Sequence, residues 1–408
     1  MTGTVRATIV GDNYQFDHDH RFPAFRFDGR MSGRINRESA LLSTMTGPAH
    51  ARVSDVADAS RGLALLGFPV PEIAAEVHGA IDVPMTLAGS YQFPQVDMRV
   101  AGDEVTVPLL GRVRATAHVV ASTRRADISD LAVHRGTATI VGQAVADITG
   151  EKWSGLFTVD APHAEELQSD VPEAWRVVGP LQVTATLGGT FDVYTLDTTI
   201  TGSSLTWAGQ SIDRADVTAM VTPEAIDVTA LELRQGPGLL EGRVRYAWET
   251  GAYTANLKGD RLSWQGTVLA PNDTQALFSM QFDGAGTTAQ PRGQARVDFE
   301  LSGGEAGTLI GAGEVTAELM GDQARVVARL PAIGALVNAD VATASPYDYR
   351  ATAVLDRLEL ARLSPFIDAV PAEILGFASG TVTASGRLAD ARDRVATVNL
   401  TELDAGIG

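Results

Sequence analysis

The sequence predicts a mostly β protein: antiparallel strands in modules of about one hundred residues, with short helices between modules. Three observations predict it. Apolar and polar residues alternate with period two, the pattern of strands with one buried and one wet face. Turn words such as Gly188-Gly189, Thr250-Gly251, Gly303-Gly304 and Gly321-Asp322 separate the alternating runs. One strand-and-turn phrase is also written twice. GAIDVPMTLAGSYQFPQVDMRVAGDEVTV (79–107) aligns without a gap on GPLQVTATLGGTFDVYTLDTTITGSSLTW (179–207), matching Gly79, Val83, Leu87, Gly89, Asp97 and Gly102 to Gly179, Val183, Leu187, Gly189, Asp197 and Gly202.

Residues 1–78 begin with strands such as TVRATIV and end in the apolar segment 63–77, so they read as the latter part of a module with its closing helix. Residues 79–178 form the first full module. Ile81, Val83, Met85 and Leu87 face one way, and HAEELQSDVPEAWRVV (163–178) closes the module as a helix. Residues 179–275 repeat the order. Leu181, Val183, Ala185 and Leu187 share one parity and Gln182, Thr184 and Thr186 the other. Leu240, Val244, Tyr246 and Trp248 share a parity with Gly242. ADISDLAVHRGTATIVGQ (126–143) corresponds to AIDVTALELRQGPGLLEGR (225–243), setting Gly136 against Gly236.

Residues 276–379 are a looser copy, with Gly334 in the place of Gly136 and Gly236. Val315, Ala317 and Leu319 continue the alternation there. ARLSPFIDAVPAEILGF (361–377) closes this copy, with Leu363, Phe366, Ile367, Val370, Ile374 and Phe377 at helical spacing. Residues 380–408 start a further, truncated module that stops level with Trp207. The unit is a run of about seven strands, and a period this long argues for a stacked array. The chain therefore reads as an internal stretch of a longer array.

With 45% hydrophobic and 20% charged residues, the chain can bury apolar surface and is not disordered. A net charge of −18 opposes nucleic acid, whose binding rests on Lys and Arg, and opposes docking on anionic membranes through a basic patch. The absence of cysteine excludes disulfides, thiolate metal sites and Cys nucleophiles. MTGTVRATIVGDNYQF has no signal-peptide pattern, and the apolar stretch Leu63–Val77 is interrupted by Pro69, Pro71 and Glu72.

No nucleophile elbow or phosphate loop occurs. Gly311 and Gly313 lack the third glycine of a dinucleotide fingerprint and read as a hairpin turn. In Asp17–His20 (DHDH), His18 and His20 would share a strand face and could take zinc, but no third ligand can be named. The stretch reads as a solvated strand or loop. Glu165 and Glu166 suit a helix start, where they favour the dipole. Five scattered Trp give no aromatic cleft for a sugar. The expectation is a protein without catalytic residue, metal or cofactor.

The phrase at 179–207, its continuation IDVTALELRQGPGLLEGRVRY and YTANLKGDRLSW, and the closing LSPFIDAVPAEILGFASGTVTASGRLADARDRVATVNLTEL carry a resemblance. They resemble the TamB and AsmA-like family (translocation and assembly module proteins), within the wider group of bridge-like lipid-transfer proteins. The resemblance implies an elongated antiparallel sheet bent into a long apolar groove, a β-taco, that spans the periplasm. It implies phospholipids as cargo between inner and outer membranes. It also implies an inner-membrane anchor and an outer-membrane β-barrel assembly partner, both reached through regions outside this chain. The groove lining is then expected at Ile81, Val83, Met85, Leu87, Leu181, Val183, Ala185, Leu187, Leu240, Val244, Tyr246, Trp248, Val315, Ala317 and Leu319. Two other readings stand beside it. One is a structural or adhesive β-solenoid with a closed core. The other is a carbohydrate-active β-helix enzyme, whose coils of about 20–25 residues do not match the period.

Overall fold

The computed structural model describes residues 2–65, 72–108, 110–168, 171–265, 274–303, 308–360, 374–388 and 390–407. The chain is mostly β and divides into two compact units, Met1–Gly209 and Gln210–Gly408.

The first unit carries β1 (Thr2–Val10), β2 (Asn13–Arg21), β3 (Phe25–Arg34), β4 (Thr44–Val53) and the helix α1 (Val56–Leu65). Then come β5 (Ile81–Gly89), β6 (Pro94–Val107), β7 (Gly111–Ser122), β8 (Arg125–Arg135), β9 (Ala138–Asp147), β10 (Lys152–Ala161), the short β11 (Val177–Val178), β12 (Leu181–Gly189) and β13 (Tyr194–Trp207). All pairings are antiparallel and almost all join sequence neighbours. The insertion after β10 is bridged by β10 pairing with β12, while β11 pairs with β13.

The second unit carries β14 (Gln210–Val221), β15 (Ala225–Gln235), β16 (Gly238–Ala247), β17 (Ala252–Gln265), β18 (Thr274–Thr287) and β19 (Pro291–Gly303). It continues with β20 (Thr308–Met320), β21 (Gln323–Leu330), β22 (Ala335–Ala342), β23 (Asp348–Glu359), β24 (Ile374–Arg387) and β25 (Asp390–Ile407). Each strand pairs antiparallel with the next. This ladder follows from the alternating sequence, because one parity must leave water and the other must not.

The one-hundred-residue echo is an echo of geometry. β5, β6, β8, β9 and β10 begin at residues 81, 94, 125, 138 and 152; β12, β13, β15, β16 and β17 begin at 181, 194, 225, 238 and 252. Six long strands, rather than about seven, separate one insertion from the next. The turn glycines Gly136, Gly236 and Gly334 all take left-handed backbone, with φ of 56°, 53° and 62°. That conformation favours glycine, which explains the residue at each copy.

Plain alternation is interrupted at β-bulges that reset the parity. Between Val228 and Leu231 the register of β15 slips, so even-numbered apolar residues before the bulge and odd-numbered ones after it share a face. The same device sits at Ile128/Leu131, Gly259/Leu262 and Leu355/Leu358.

Three helix expectations change. The segment 63–77 holds the end of α1, which starts earlier at Val56, and a 3-10 turn at Glu72–Ala75. The segment 163–178 forms two 3-10 turns, Ala164–Leu167 and Glu173–Trp175, in place of a helix. Pro172 disfavours helical backbone at the residue before it and so breaks the run. In 361–377, residues 361–373 lie outside the described residues and 374–377 belong to β24. Gly311 and Gly313 lie inside β20, not in a hairpin turn. A Cβ at Gly313 would strike the ring of Phe299 on the paired strand, so the glycine makes room for that ring.

The core is thin. The buried apolar residues are mostly alanines, and among the described residues no large side chain is fully buried. The chain exposes 24441 Å². Two separate compact units of this size would together expose about 18,000 Å². Among the described residues β1 pairs with β2 alone and β25 with β24 alone, so neither ladder closes on itself.

Candidate functional site

The most unusual surface is the apolar face of each ladder. In the second unit, residues paired strand to strand form straight rows across the sheet. One row runs Val217, Leu231, Gly242, Leu257, Phe282, Ala295, Ala317, Val326, Ala339, Ala351, Ala384 and Ala396. It crosses twelve strands, about 50 Å at the usual strand spacing, without one polar side chain. The neighbouring row runs from Ala215 through Leu233, Leu240, Gly259, Met280, Val297, Val315, Ala328, Val337, Ala353 and Val382 to Val398, and it too is wholly apolar.

The structure gathers the expected lining residues into such rows, separately in each unit. In the first unit Ile81, Val83, Met85 and Leu87 lie opposite Val53, Ala51, Ala49 and Gly47, while Asp82 and Thr86 point to the other face. Leu181, Val183, Ala185 and Leu187 lie opposite Ala161, Val159, Phe157 and Gly155. In the second unit Leu240, Val244 and Tyr246 face Gly259, Ala255 and Tyr253. Val315, Ala317 and Leu319 face Ala328, Val326 and Ala324. Val83 and Ala185 are buried, each 7% exposed, and the other strand residues of the set are half-buried. Trp248 lies one residue beyond β16 and is 46% exposed. Its ring meets that of Tyr246 edge-on at 5.5 Å, and its Nε1 donates to the Thr222 carbonyl at 3.4 Å.

The matching row of the first unit runs Val5, His18, Gly29, Ala49, Met85, Met98, Val119, Ile128, Ala144, Gly155, Leu187 and Leu196. His18 is its only polar member. The stretch Asp17–His20 is a strand as expected, but the expected solvation fails at His18, which is only 6% exposed. β2 places Tyr14, Phe16, His18 and His20 on one face, where their rings follow one another at 5.9, 5.7 and 5.6 Å, and Phe27 stacks on His18 at 4.8 Å. Neither nitrogen of His18, nor Nδ1 of His20, finds a hydrogen-bond partner. Burial and then the neighbouring His20 hold the His18 imidazole below its usual range, with Asp28 and Asp17 pulling the other way. Among the described residues no group of three or more His, Cys, Asp or Glu could hold a metal ion.

At the same end, the Tyr14 hydroxyl donates to the Thr44 carbonyl at 2.8 Å and lies 3.3 Å from the Tyr91 hydroxyl. Burial, and then Tyr91, push its pKa up.

The opposite face is charged. Four arginines there are neutralised by an acid two residues along the same strand: Arg125 by Asp127 at 2.6 Å, Arg214 by Asp216 at 2.5 Å, Arg234 by Glu232 at 2.6 Å and Arg296 by Asp298 at 3.0 Å. These exposed pairs add little stability. They keep one face wet, which fixes which face is apolar. Glu165 and Glu166 stand in the first turn of a short 3-10 helix, Ala164–Leu167, and each also bonds a strand end. Glu166 accepts from the backbone and hydroxyl of Thr137 at 2.7 and 3.0 Å, and Glu165 from the backbone of Gly179 at 3.3 Å, so they tie the insertion to strand ends.

Among the described residues no cluster forms a metal cradle. One hydroxyl–imidazole–carboxylate chain does occur, on the wet face of the first unit: the Ser129 hydroxyl lies 3.3 Å from Nδ1 of His118, whose Nε2 lies 2.8 Å from Asp97. What the arrangement offers is a broad apolar surface of Ala, Val, Leu and Gly. The sequence signals that could have found the full rows are the bulge positions, since parity read without them assigns residues such as Leu231 and Leu233 to the wrong face. No family model, no curated protein and no solved structure matches this chain.

Proposed function

We propose that this chain is a segment of a TamB- or AsmA-like conduit whose apolar sheet face holds phospholipid acyl chains. In this reading it works in the periplasm, between inner and outer membranes, with membrane anchoring and any outer-membrane assembly partner supplied by regions outside it. The observation that carries the reading is the pair of twelve-strand rows in the second unit, free of charge and mostly half-buried.

The mechanism is partitioning. Each methylene moved from water onto such a surface gains about 0.8 kcal/mol when fully buried. Because successive strands present nearly the same small apolar residues, a chain sliding along a row exchanges like contacts for like. No step needs a catalytic group. The closed-core solenoid reading would shut large apolar side chains inside, and among the described residues none is fully buried.

Native mass spectrometry of the chain purified without detergent tests the reading. Phospholipid should accompany the wild type and fall about tenfold in Val183→Asp and in Leu240→Arg, each of which puts a charge on the apolar face. Absence of lipid from the wild type, or equal lipid in the variants, contradicts it.

A further inference from the structure

The polar face of the second unit carries a pocket of about 620 Å³ lined by three arginines, Arg243, Arg245 and Arg292, that lack the ion pairs made by other arginines of that face. Elsewhere on this face Arg214, Arg234 and Arg296 pair with an acid two residues along the strand, and Arg325 and Arg329 pair with an acid on a neighbouring strand. On β16 Arg243 has Glu241 two residues before it and Arg245 two residues after it, all three exposed on the same side, and Arg243 forms no ion pair with Glu241. Two like charges at this spacing repel. Across the pocket, β19 contributes Arg292. The pairings Arg245–Thr254, Thr254–Ala285 and Ala285–Arg292 place it three strand spacings away, about 14 Å, over a floor of two small residues.

None of these three guanidinium groups makes an ion pair or a side-chain hydrogen bond, although Asp227 lies directly opposite Arg245 and Asp283 also lines the pocket. Asp283 is occupied by the side-chain amides of Asn256 and Gln281. Three arginines against two aspartates leave one net positive charge, on a chain whose total is −18. Unpaired guanidiniums lining both sides of a small-residue floor suit a tetrahedral oxyanion, which they grip through paired N–H donors.

We propose that this pocket is a binding site for a phosphodiester anion, held between Arg243 and Arg245 on one side and Arg292 on the other. The site stands independently of the lipid reading, because its three arginines have the opposite strand parity to the apolar rows; Val244 and Ala255 of the apolar parity border the pocket as well. A phosphodiester is found both in a phospholipid headgroup and in a soluble headgroup fragment, and the two sources are separable by experiment.

The test is calorimetric titration at low salt with sn-glycero-3-phosphoglycerol and, separately, with dihexanoyl phosphatidylglycerol below its micelle concentration. Saturable binding in the millimolar range or tighter is expected. Equal binding of both probes assigns the site to the phosphodiester itself, and binding of the lipid alone assigns it to a lipid headgroup; either supports the site. Arg243→Gln/Arg245→Gln/Arg292→Gln should weaken binding about tenfold or more, and Asp227→Asn should tighten it about threefold. Arg234→Gln/Arg296→Gln, which removes ion-paired arginines outside the cluster, should change it by less than about twofold. No saturable binding to the wild type overturns the proposal. So does an equal loss in the ion-paired variant, which would mark the attraction as non-specific. The gain in Asp227→Asn guards against a triple variant that simply misfolds.

Discussion

The two units build the same ladder and differ in what can ionise on it. All seven histidines of the chain lie in the first unit, and one of them, His18, interrupts an otherwise apolar row. The second unit has no histidine, and its rows cross twelve strands with no polar side chain. The comparison separates two properties that alternation alone confounds. Period-two patterning decides which face is apolar; the identity of single residues decides how that face answers to pH.

The largest effect is expected from breaking the clean unit. Ala317→Asp puts a carboxylate in the middle of a twelve-residue row. Retained lipid should fall about tenfold and stability by about 1–2 kcal/mol, read by mass spectrometry and urea unfolding. Thr316→Asp, one residue away on the polar face, should stay within about 0.5 kcal/mol. Equal effects of the two would mean that the face has no special character.

The next effect sharpens the contrast in pH. The folded chain holds His18 below its usual pKa, so the unfolded chain takes up a proton near its ordinary value of about 6.5 that the folded chain refuses. Stability is therefore lost as pH falls below that value, by up to about 1.4 kcal/mol per pH unit, until the folded group also titrates. His18→Phe should remove that part of the acid sensitivity. Unfolding of wild type and variant compared between pH 7 and pH 5 reads the difference. An unchanged slope would mean that His18 gains a partner in solution.

The smallest effect compares the equivalent turns of the two units. Gly136→Ala and Gly236→Ala each force a side chain into left-handed backbone, at about 1 kcal/mol. Gly236 has nothing within 4 Å of the new Cβ, whereas at Gly136 it meets the Glu166 carboxylate that anchors Thr137. The first-unit variant should therefore unfold at the lower urea concentration.

Much of the fold was legible because it rests on local chemistry. Leu181, Val183, Ala185 and Leu187 announce one face of β12 in the sequence alone, and the turn at Gly236 announces its own left-handed residue. The bulges were not legible. Their extra residue varies: Asp130 and Arg261 both take left-handed backbone, with φ of 49° and 51°, and among the described bulges only two share a word, Asp260-Arg261-Leu262 and Asp356-Arg357-Leu358. His18 was misread because DHDH is polar by composition, whereas its burial depends on Phe16 and Phe27 packing around one parity of β2. The closing segment 163–178 reads as a helix in the sequence, and the structure holds two 3-10 turns on either side of Pro172 instead.

The most direct test of the proposed lipid contact is a photo-crosslinking scan along β20 and β12 in cells. A photoreactive residue is placed in turn at Glu314, Val315, Thr316 and Ala317, and at Val183 and Thr184. The account predicts alternation: lipid adducts at Val315, Ala317 and Val183, and none above background at Glu314, Thr316 and Thr184. Adducts of equal strength at neighbouring positions, or at none, would contradict it.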